Sequence, residues 1–343
     1  VSAVAETRGL VVPAPETGET VVEYEGSYAL LIGAADYQNN AWPDLESVPG
    51  ELARIESVLQ EHGFTVEKHL NPTGQELEDL YEEFLDRYGY DVPNRLVFFY
   101  SGHGWTTKNN KRGFLVPVDA PDPVKQRRDF RAKALSMTRI LAGARDSEAN
   151  HVLYLFDSCF SGTIFKTKAL PKEPPHITTA LGLPVRQFIT AGGAKDQVPS
   201  RSTFTPAFVD ALVLGRGDLN KDGYVSGTEL GLYLQQEVPR HTRQTPQFGK
   251  IADYDLSRGD FIFALPQAQM AKATPAKVDS AAMAAQEKLL DLEFWKTVRA
   301  SNDPEMLQAY LDAFPDGVYA KLAKLMLAKL KASPAKELTS DDV

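Results

Sequence analysis

Five short apolar runs punctuate the first two thirds of the chain. Tyr28-Ala-Leu-Leu-Ile-Gly33, Arg95–Tyr100 (RLVFFY), His151–Phe156 (HVLYLF) and Val185–Thr190 are nearly continuous, and Phe64–Leu70 alternates. Continuous runs of this length predict strands buried on both faces. Between them the apolar positions switch to helical spacing. Leu52, Ile55 and Leu59 share one stripe within Leu45–His62, which Gly63 stops. Leu77, Leu80, Tyr81, Phe84 and Leu85 form a second stripe after Thr73, and Ser136–Ala144 a third. Alternating strands and helices predict crossover connections and a mainly parallel sheet covered on both faces. Such sheets bind ligands beyond the carboxyl ends of their strands. Chemistry is therefore expected just after the apolar runs.

The flanks read differently. Residues 1–26 lack an apolar period and carry Pro13, Pro15 and Gly18, which predicts an extended, largely exposed arm. One domain is expected over 27–265. Residues 266–285 are rich in Ala, Lys and Gln with two prolines, the composition of a linker. Residues 286–333 hold three helical patterns: Leu289, Leu292, Phe294 and Trp295; then Met306, Leu307, Tyr310 and Leu311; then Tyr319, Leu322, Leu325 and Leu330. They predict a small helical module whose aromatics are core and which would suit docking of a protein partner. The tail Thr339–Val343 is expected to fray.

Composition narrows the classes. Of 343 residues, 43% are hydrophobic, as in ordinary globular proteins. Lys and Arg number 37 against 46 Asp and Glu, a net charge of −9, which weighs against a nucleic-acid binder. No run approaches the ~18 apolar residues that span a bilayer. The single cysteine excludes a disulfide within the chain. The cytoplasm is the expected compartment, with the periplasm or secretion as alternatives. The start at Val1 fits both a trimmed chain and a removed targeting segment.

Two motifs follow two of the predicted strands. Tyr100-Ser-Gly-His103-Gly104 follows RLVFFY, and Asp157-Ser-Cys159-Phe-Ser-Gly162 follows HVLYLF. Neighbouring parallel strands would bring His103 and Cys159 to one sheet edge. The thiolate is the nucleophile, and a nearby imidazole generates it near neutral pH. The flanking glycines permit tight turns, and backbone N–H groups there suit an oxyanion. Either residue alone would be ordinary. Together, 56 positions apart at equivalent strand ends, they predict a nucleophile–base dyad.

On these residues the chain resembles a bacterial caspase-like cysteine peptidase of clan CD, peptidase family C14, near the metacaspases and orthocaspases. The matching pieces are YALLIGAADY at 28–37, the helix at 51–62, LVFFYSGHG at 96–104, LVPVDA at 115–120, LYLFDSCFSG at 153–162 and QFITAGGAKDQV at 187–198. The resemblance implies an α/β fold of the caspase-hemoglobinase type, with a mostly parallel six-stranded sheet between helices, here followed by the small helical module. It implies His103 as general base and acid, Cys159 as nucleophile, and an oxyanion hole from the N–H groups of Cys159 and Gly104. True caspases carry a QACxG-type motif and select Asp at P1. Here Asp157 precedes the cysteine, and the metacaspase likeness implies an S1 pocket that pairs it with P1 Arg or Lys. Ser101 matches another pocket residue, and Asp36 is a candidate second carboxylate. A basic P1 would make Lys166, Lys168 and Lys172, in the Pro-rich stretch after the cysteine, candidate self-processing sites.

A second pattern lies downstream. Asp218, Asn220, Asp222, Ser226 and Glu229 occupy positions 1, 3, 5, 9 and 12 of a calcium-binding EF-hand loop. The carbonyl of Tyr224 falls at position 7, and Gly223 falls at the turn. Ca²⁺ is the expected cofactor. The expected function is a monomeric cysteine endopeptidase acting on proteins or peptides after Arg or Lys. The alternatives are a calcium-dependent scaffold without catalysis, a peptidase with another P1 preference, and a cysteine hydrolase acting on other amides or esters.

Overall fold

The computed structural model describes residues 9–13, 18–107, 112–159, 177–193 and 202–265, together with 295, 307–308, 310–311, 317 and 319–332. Two compact units divide the chain, Val1–Ala273 and Thr274–Val343.

In the first unit, β1 (Leu10–Pro13) and β2 (Thr20–Tyr24) form an antiparallel hairpin. The predicted arm is thus extended but not exposed. Val12, Val22 and Tyr24 are buried against Ile177, Leu181, Tyr224 and Ile262. Three apolar positions of one hairpin face suffice to dock it, a pattern too short to register as a period. Next come β3 (Gly26–Gly33), α1 (Val48–Glu61), β4 (Thr65–Leu70), α2 (Gly74–Tyr88) and β5 (Asn94–Ser101). Three short strands, β6 (Gly104–Thr106), β7 (Gly113–Leu115) and β8 (Leu135–Ser136), make a small antiparallel sheet, with α3 (Arg127–Lys133) between β7 and β8. Then follow α4 (Met137–Asp146), β9 (His151–Cys159), β10 (Val185–Gly192), α5 (Phe204–Val213), β11 (Tyr224–Ser226), α6 (Gly227–Glu237), β12 (Gln247–Lys250) and β13 (Ile262–Ala264).

The central sheet has the order β12-β10-β9-β5-β3-β4. Neighbours are parallel except for the antiparallel edge strand β12. The α/β expectation holds, with a mostly parallel six-stranded sheet between helices. Every residue of β5 and of β10 is buried, the physical meaning of their uninterrupted apolar runs. Alternate side chains feed two cores. Phe99, Leu155 and Ile189 pack with Leu52, Ile55 and Leu59 of α1 and Phe208 of α5. Phe98, Tyr154 and Phe188 pack with Tyr81 and Phe84 of α2 and Ile140 of α4. Thr73 and Glu76 close a capping box that starts α2.

Two fully buried arginines hold loops to this frame. Arg95 donates to Ser27 Oγ (2.8 Å), the Ile262 carbonyl (2.7 Å) and the His62 carbonyl (2.9 Å). Arg186 donates to the carbonyls of Ala144, Ser147, Asn150 and Val185 at 2.6–3.1 Å. Among the described residues neither has a carboxylate within 4.0 Å; backbone oxygens compensate the burial of charge.

In the second unit, Trp295, Leu307, Tyr310, Leu311, Ala320, Ala323 and Leu327 form a core, and Trp295 stacks on Tyr319 at 5.3 Å. Residues 295, 307–308 and 310–311 are helical there, and one further helix is α7 (Ala320–Ala332). Its buried positions are 320, 323 and 327, so Leu322 and Leu325, expected on the apolar stripe, are exposed instead. The small alanines let α7 approach the aromatics, and a pattern search weighted to large side chains picks the neighbouring stripe. The expected linker over 266–285 lies outside the described residues.

Candidate active site

β5 and β9 are adjacent and parallel, with Ser101 opposite Asp157. His103 follows Ser101 by two residues, and Cys159 follows Asp157 by two, so both motifs leave the same end of the sheet. Cys159 is the last residue of β9, in register with Gly192 of β10. Gly102 joins strand to histidine under tight constraint: a Cβ there would lie 2.6 Å from Tyr100 Oη. Its N–H donates to the Asp157 carbonyl at 3.4 Å.

Two tyrosines clamp the backbone of His103. Its N–H donates to Tyr37 Oη at 2.8 Å, and Tyr100 Oη donates to its carbonyl at 3.2 Å. Tyr100 shares that one hydrogen with the nearer Val116 carbonyl at 2.8 Å, to which Tyr37 Oη also donates at 3.3 Å. The imidazole lies between the rings of Tyr37 and Trp42, at 4.8 and 5.6 Å between centroids. Its Nε2 is 2.7 Å from the carbonyl oxygen of Pro43. A carbonyl only accepts, so Nε2 carries the hydrogen and Nδ1 keeps its lone pair. Burial pushes the imidazole below its ordinary value, and the Pro43 bond offsets part of that. Gly104, the expected oxyanion contributor, opens β6 opposite Leu115.

At the carboxyl ends of β5 and β9 lies a small pocket lined by Leu45, Ser47, Val48, Ser101, Gly102, Asp157 and Ser202. Two of the three expected S1 residues, Asp157 and Ser101, are therefore brought together, and both are buried. Asp157 Oδ2 accepts from Ser202 Oγ and, at 3.2 Å, from Thr205 Oγ1. Burial pushes its carboxyl up to about 7, with Glu51 adding repulsion and the two hydroxyls opposing it. Asp36 stands elsewhere. It is exposed on the loop after β3, receives Asn71 Nδ2 at 2.7 Å, and does not line this pocket.

Three participants were not anticipated. Pro43 acts through its main chain and leaves no letter to read. Ser202 sits in a polar stretch without pattern. Glu51 did leave a signal: it is the lone acid on the buried face Val48, Leu52, Ile55, Val58 and Leu59 of α1.

The expected calcium loop bends as its pattern requires, with φ of 63° at Lys221 and 87° at Gly223. Its acids face inward onto the loop's own amides. Asp218 accepts from the N–H groups of Asp222 (3.1 Å) and Gly223 (2.9 Å), and Asn220 Oδ1 from Asp222 (3.0 Å). Glu229 receives Leu219 and Asn220 N–H on one oxygen and Ser226 N–H and Oγ on the other. Among the described residues Asp222 Oδ2 is buried without a hydrogen bond. β11 runs through the loop and pairs with β13. Among the described residues no three His, Cys, Asp or Glu side chains converge on one metal position. The donor set still fits Ca²⁺ in kind: oxygens only, from acids, an amide, a hydroxyl and a carbonyl. Lys166, Lys168 and Lys172 lie outside the described residues. Among the described residues no helix is long and apolar enough to cross a membrane.

The family model of the caspase domain, peptidase family C14, matches residues 27–281. No curated protein matches the sequence. Among solved structures, a Geobacter sulfurreducens protein shares 16% identity, covering 70% of this chain and 99% of its own, with a TM-score of 0.46. Caspase-1 from Spodoptera frugiperda shares 13% identity over 71% of this chain and 91% of its own, with a TM-score of 0.42. The Drosophila initiator caspase Dronc shares 11% over 68% and 82%, with a TM-score of 0.43.

Proposed function

The chain belongs to the caspase-domain cysteine peptidases, and from that premise we propose that it cuts proteins after Arg or Lys with Cys159 as nucleophile and His103 as base. Nδ1 of His103 takes the Sγ proton. The thiolate adds to the scissile carbonyl carbon, and the C=O electron pair moves to oxygen, where the N–H groups of Cys159 and Gly104 receive it. Collapse breaks the C–N bond, and the imidazolium returns its proton to the leaving amine. Water, deprotonated by the same imidazole, then hydrolyses the thioester and frees the thiol. The hydrogen bond from Nε2 to Pro43 supports this assignment, because it fixes the tautomer and turns Nδ1 free.

The observation that carries the P1 preference is Asp157. Among the described residues this buried carboxylate has hydroxyl partners and no cation within 4.0 Å. A substrate cation would supply the missing charge. Fluorogenic peptides with Arg, Lys or Asp at P1 test it. Arg and Lys peptides should be cleaved, Asp peptides not, and Cys159→Ala should lose all cleavage. Cleavage of Asp peptides alone would overturn the reading.

Two additions follow from the same reading. Self-processing would fall at Lys166, Lys168 or Lys172, and sequencing the new N-termini in active against Cys159→Ala protein locates it. Calcium would be held by Asp218, Asn220, Asp222, Ser226 and Glu229 with the Tyr224 carbonyl, and would staple β11 to the start of α6. Millimolar Ca²⁺ should then raise the unfolding temperature over that in chelator, and Asp218→Asn should remove the difference. Equal temperatures in the native chain would end the calcium reading.

A further inference from the structure

A wall of aromatic rings leads away from His103. Trp42 lies 5.6 Å from the His103 ring and 6.0 Å from Phe130 of α3, centroid to centroid. Trp105 of β6, two residues after His103, packs on Phe130 at 5.0 Å and on Phe114 at 5.7 Å. Phe130 is fully buried and pins α3 to this wall. The rest of the helix faces outward and is basic. Lys125–Lys133 holds five cations and one acid, Asp129, in a chain of net charge −9. Two of the cations are taken: Lys125 pairs with Asp122 at 3.4 Å and Lys133 with Asp119 at 2.6 Å. Arg127, Arg128 and Arg131 are exposed. So is Arg112, two residues before Phe114, which itself packs on Phe130 at 5.6 Å. Among the described residues none of these four arginines has a carboxylate within 4.0 Å. Val124, 68% exposed just before the helix, adds an apolar spot.

We propose that Arg112, Arg127, Arg128 and Arg131 form an exosite for an acidic stretch of a protein substrate, on the carboxyl side of the scissile bond. The inference rests on reading His103 and Cys159 as a peptidase dyad. An imidazole that protonates the leaving amine faces the first residue beyond the cut. The aromatic wall starts at that imidazole, so the departing half of the substrate has a path along it to α3. An extended chain covers the two ring-to-ring steps in roughly four residues. Acidic side chains from about the fourth position onward would therefore meet the arginines. Guanidinium groups bind carboxylates bidentately, and a cluster of exposed cations gains from several at once. The net charge of −9 favours a peptide over a nucleic acid, whose phosphates the rest of the chain would repel. Contacts so far from the reacting atoms are the same in ground and transition states, so they act on KM.

The test compares kcat and KM for two P1-Arg peptides that differ only in carrying a run of Glu or of Gln from the fourth position past the cut. The native chain is set against the combined variant Arg127→Gln, Arg128→Gln and Arg131→Gln. At low salt the native chain should cleave the Glu peptide with about tenfold higher kcat/KM, all of it in KM, and added salt should shrink the preference. The variant should treat the two peptides alike. It should still cleave a short fluorogenic peptide ending at P1 as the native chain does, which shows its dyad intact. Equal KM for the two peptides in the native chain, or a preference that survives in the variant, overturns the proposal. Failure of the peptidase reading looks different: the native chain would cleave no P1-Arg peptide, whatever follows the cut. Fluorescence anisotropy of the same labelled peptides on Cys159→Ala then decides. Tighter binding of the Glu peptide, lost with the three arginines, upholds the exosite, and equal binding of both peptides overturns it. An oligothymidylate that binds this patch more tightly than the Glu peptide would assign it to nucleic acid and overturn the proposal as well.

Discussion

Asp157 should weaken the fold it sits in. Its native carboxyl titrates near 7, against about 3.9 in an unfolded chain. Below pH 4 both states hold the proton and the residue is neutral to stability. Between pH 4 and 7 the unfolded chain has released it and the native state has not. Stability therefore falls with rising pH, by about 1.4 kcal/mol per unit, and levels above pH 7 after a loss of about 4 kcal/mol. The near-complete burial of the side chain removes any large discount for solvent screening. Asp157→Asn keeps the shape and an acceptor for Ser202 and Thr205 but has no proton to lose. The variant should match the native chain in urea unfolding at about pH 3, below both titrations. At pH 8 it should exceed it by about 4 kcal/mol, enough to move the thermal midpoint by about 10 °C. The same variant should lose cleavage after Arg. A stability difference that does not grow with pH, or an Asn variant weaker at pH 8, would refute the account of Asp157 as a buried charge awaiting a cation.

Two further outcomes are expected. In Cys159→Ala, the His103 imidazole should titrate below 6.5, because burial outweighs the Pro43 bond; an NMR midpoint above 6.5 would contradict this. Arg186→Leu should cost about 3–5 kcal/mol in urea unfolding, because four backbone carbonyls lose their donor in an apolar layer; a loss under 1 kcal/mol would show that water replaces the guanidinium.

The parallel strands were legible because burial on both faces writes itself as unbroken apolar runs, as in RLVFFY and HVLYLF. The two chemical motifs were legible because they stand where those runs end. What escaped has a different physical basis. Strands β6, β7 and β8 are two or three residues long, too short to show a period. The β1–β2 hairpin docks through three side chains scattered among prolines and polar residues. On α7, alanines carry the packing and leave two leucines outside. Asp36 matched its expected place in the chain, but the loop after β3 turns it toward Asn71. Ser202 and Glu51 meet Asp157 only when α1 and α5 close over one face of the sheet, a juxtaposition no local window contains.

The acceptor that orients His103 belongs to the peptide backbone, not to a side chain. Any of the twenty amino acids at position 43 would present the same oxygen, provided the loop from Asp36 to Ser47 kept its path. Point mutation is therefore a poor way to break this part of the machinery, and identity at position 43 is a poor way to recognise it in relatives. Loss or gain of one residue in that loop would carry the oxygen several ångströms away. For the proposed dyad, loop length is inherited information in the sense that a side chain usually is.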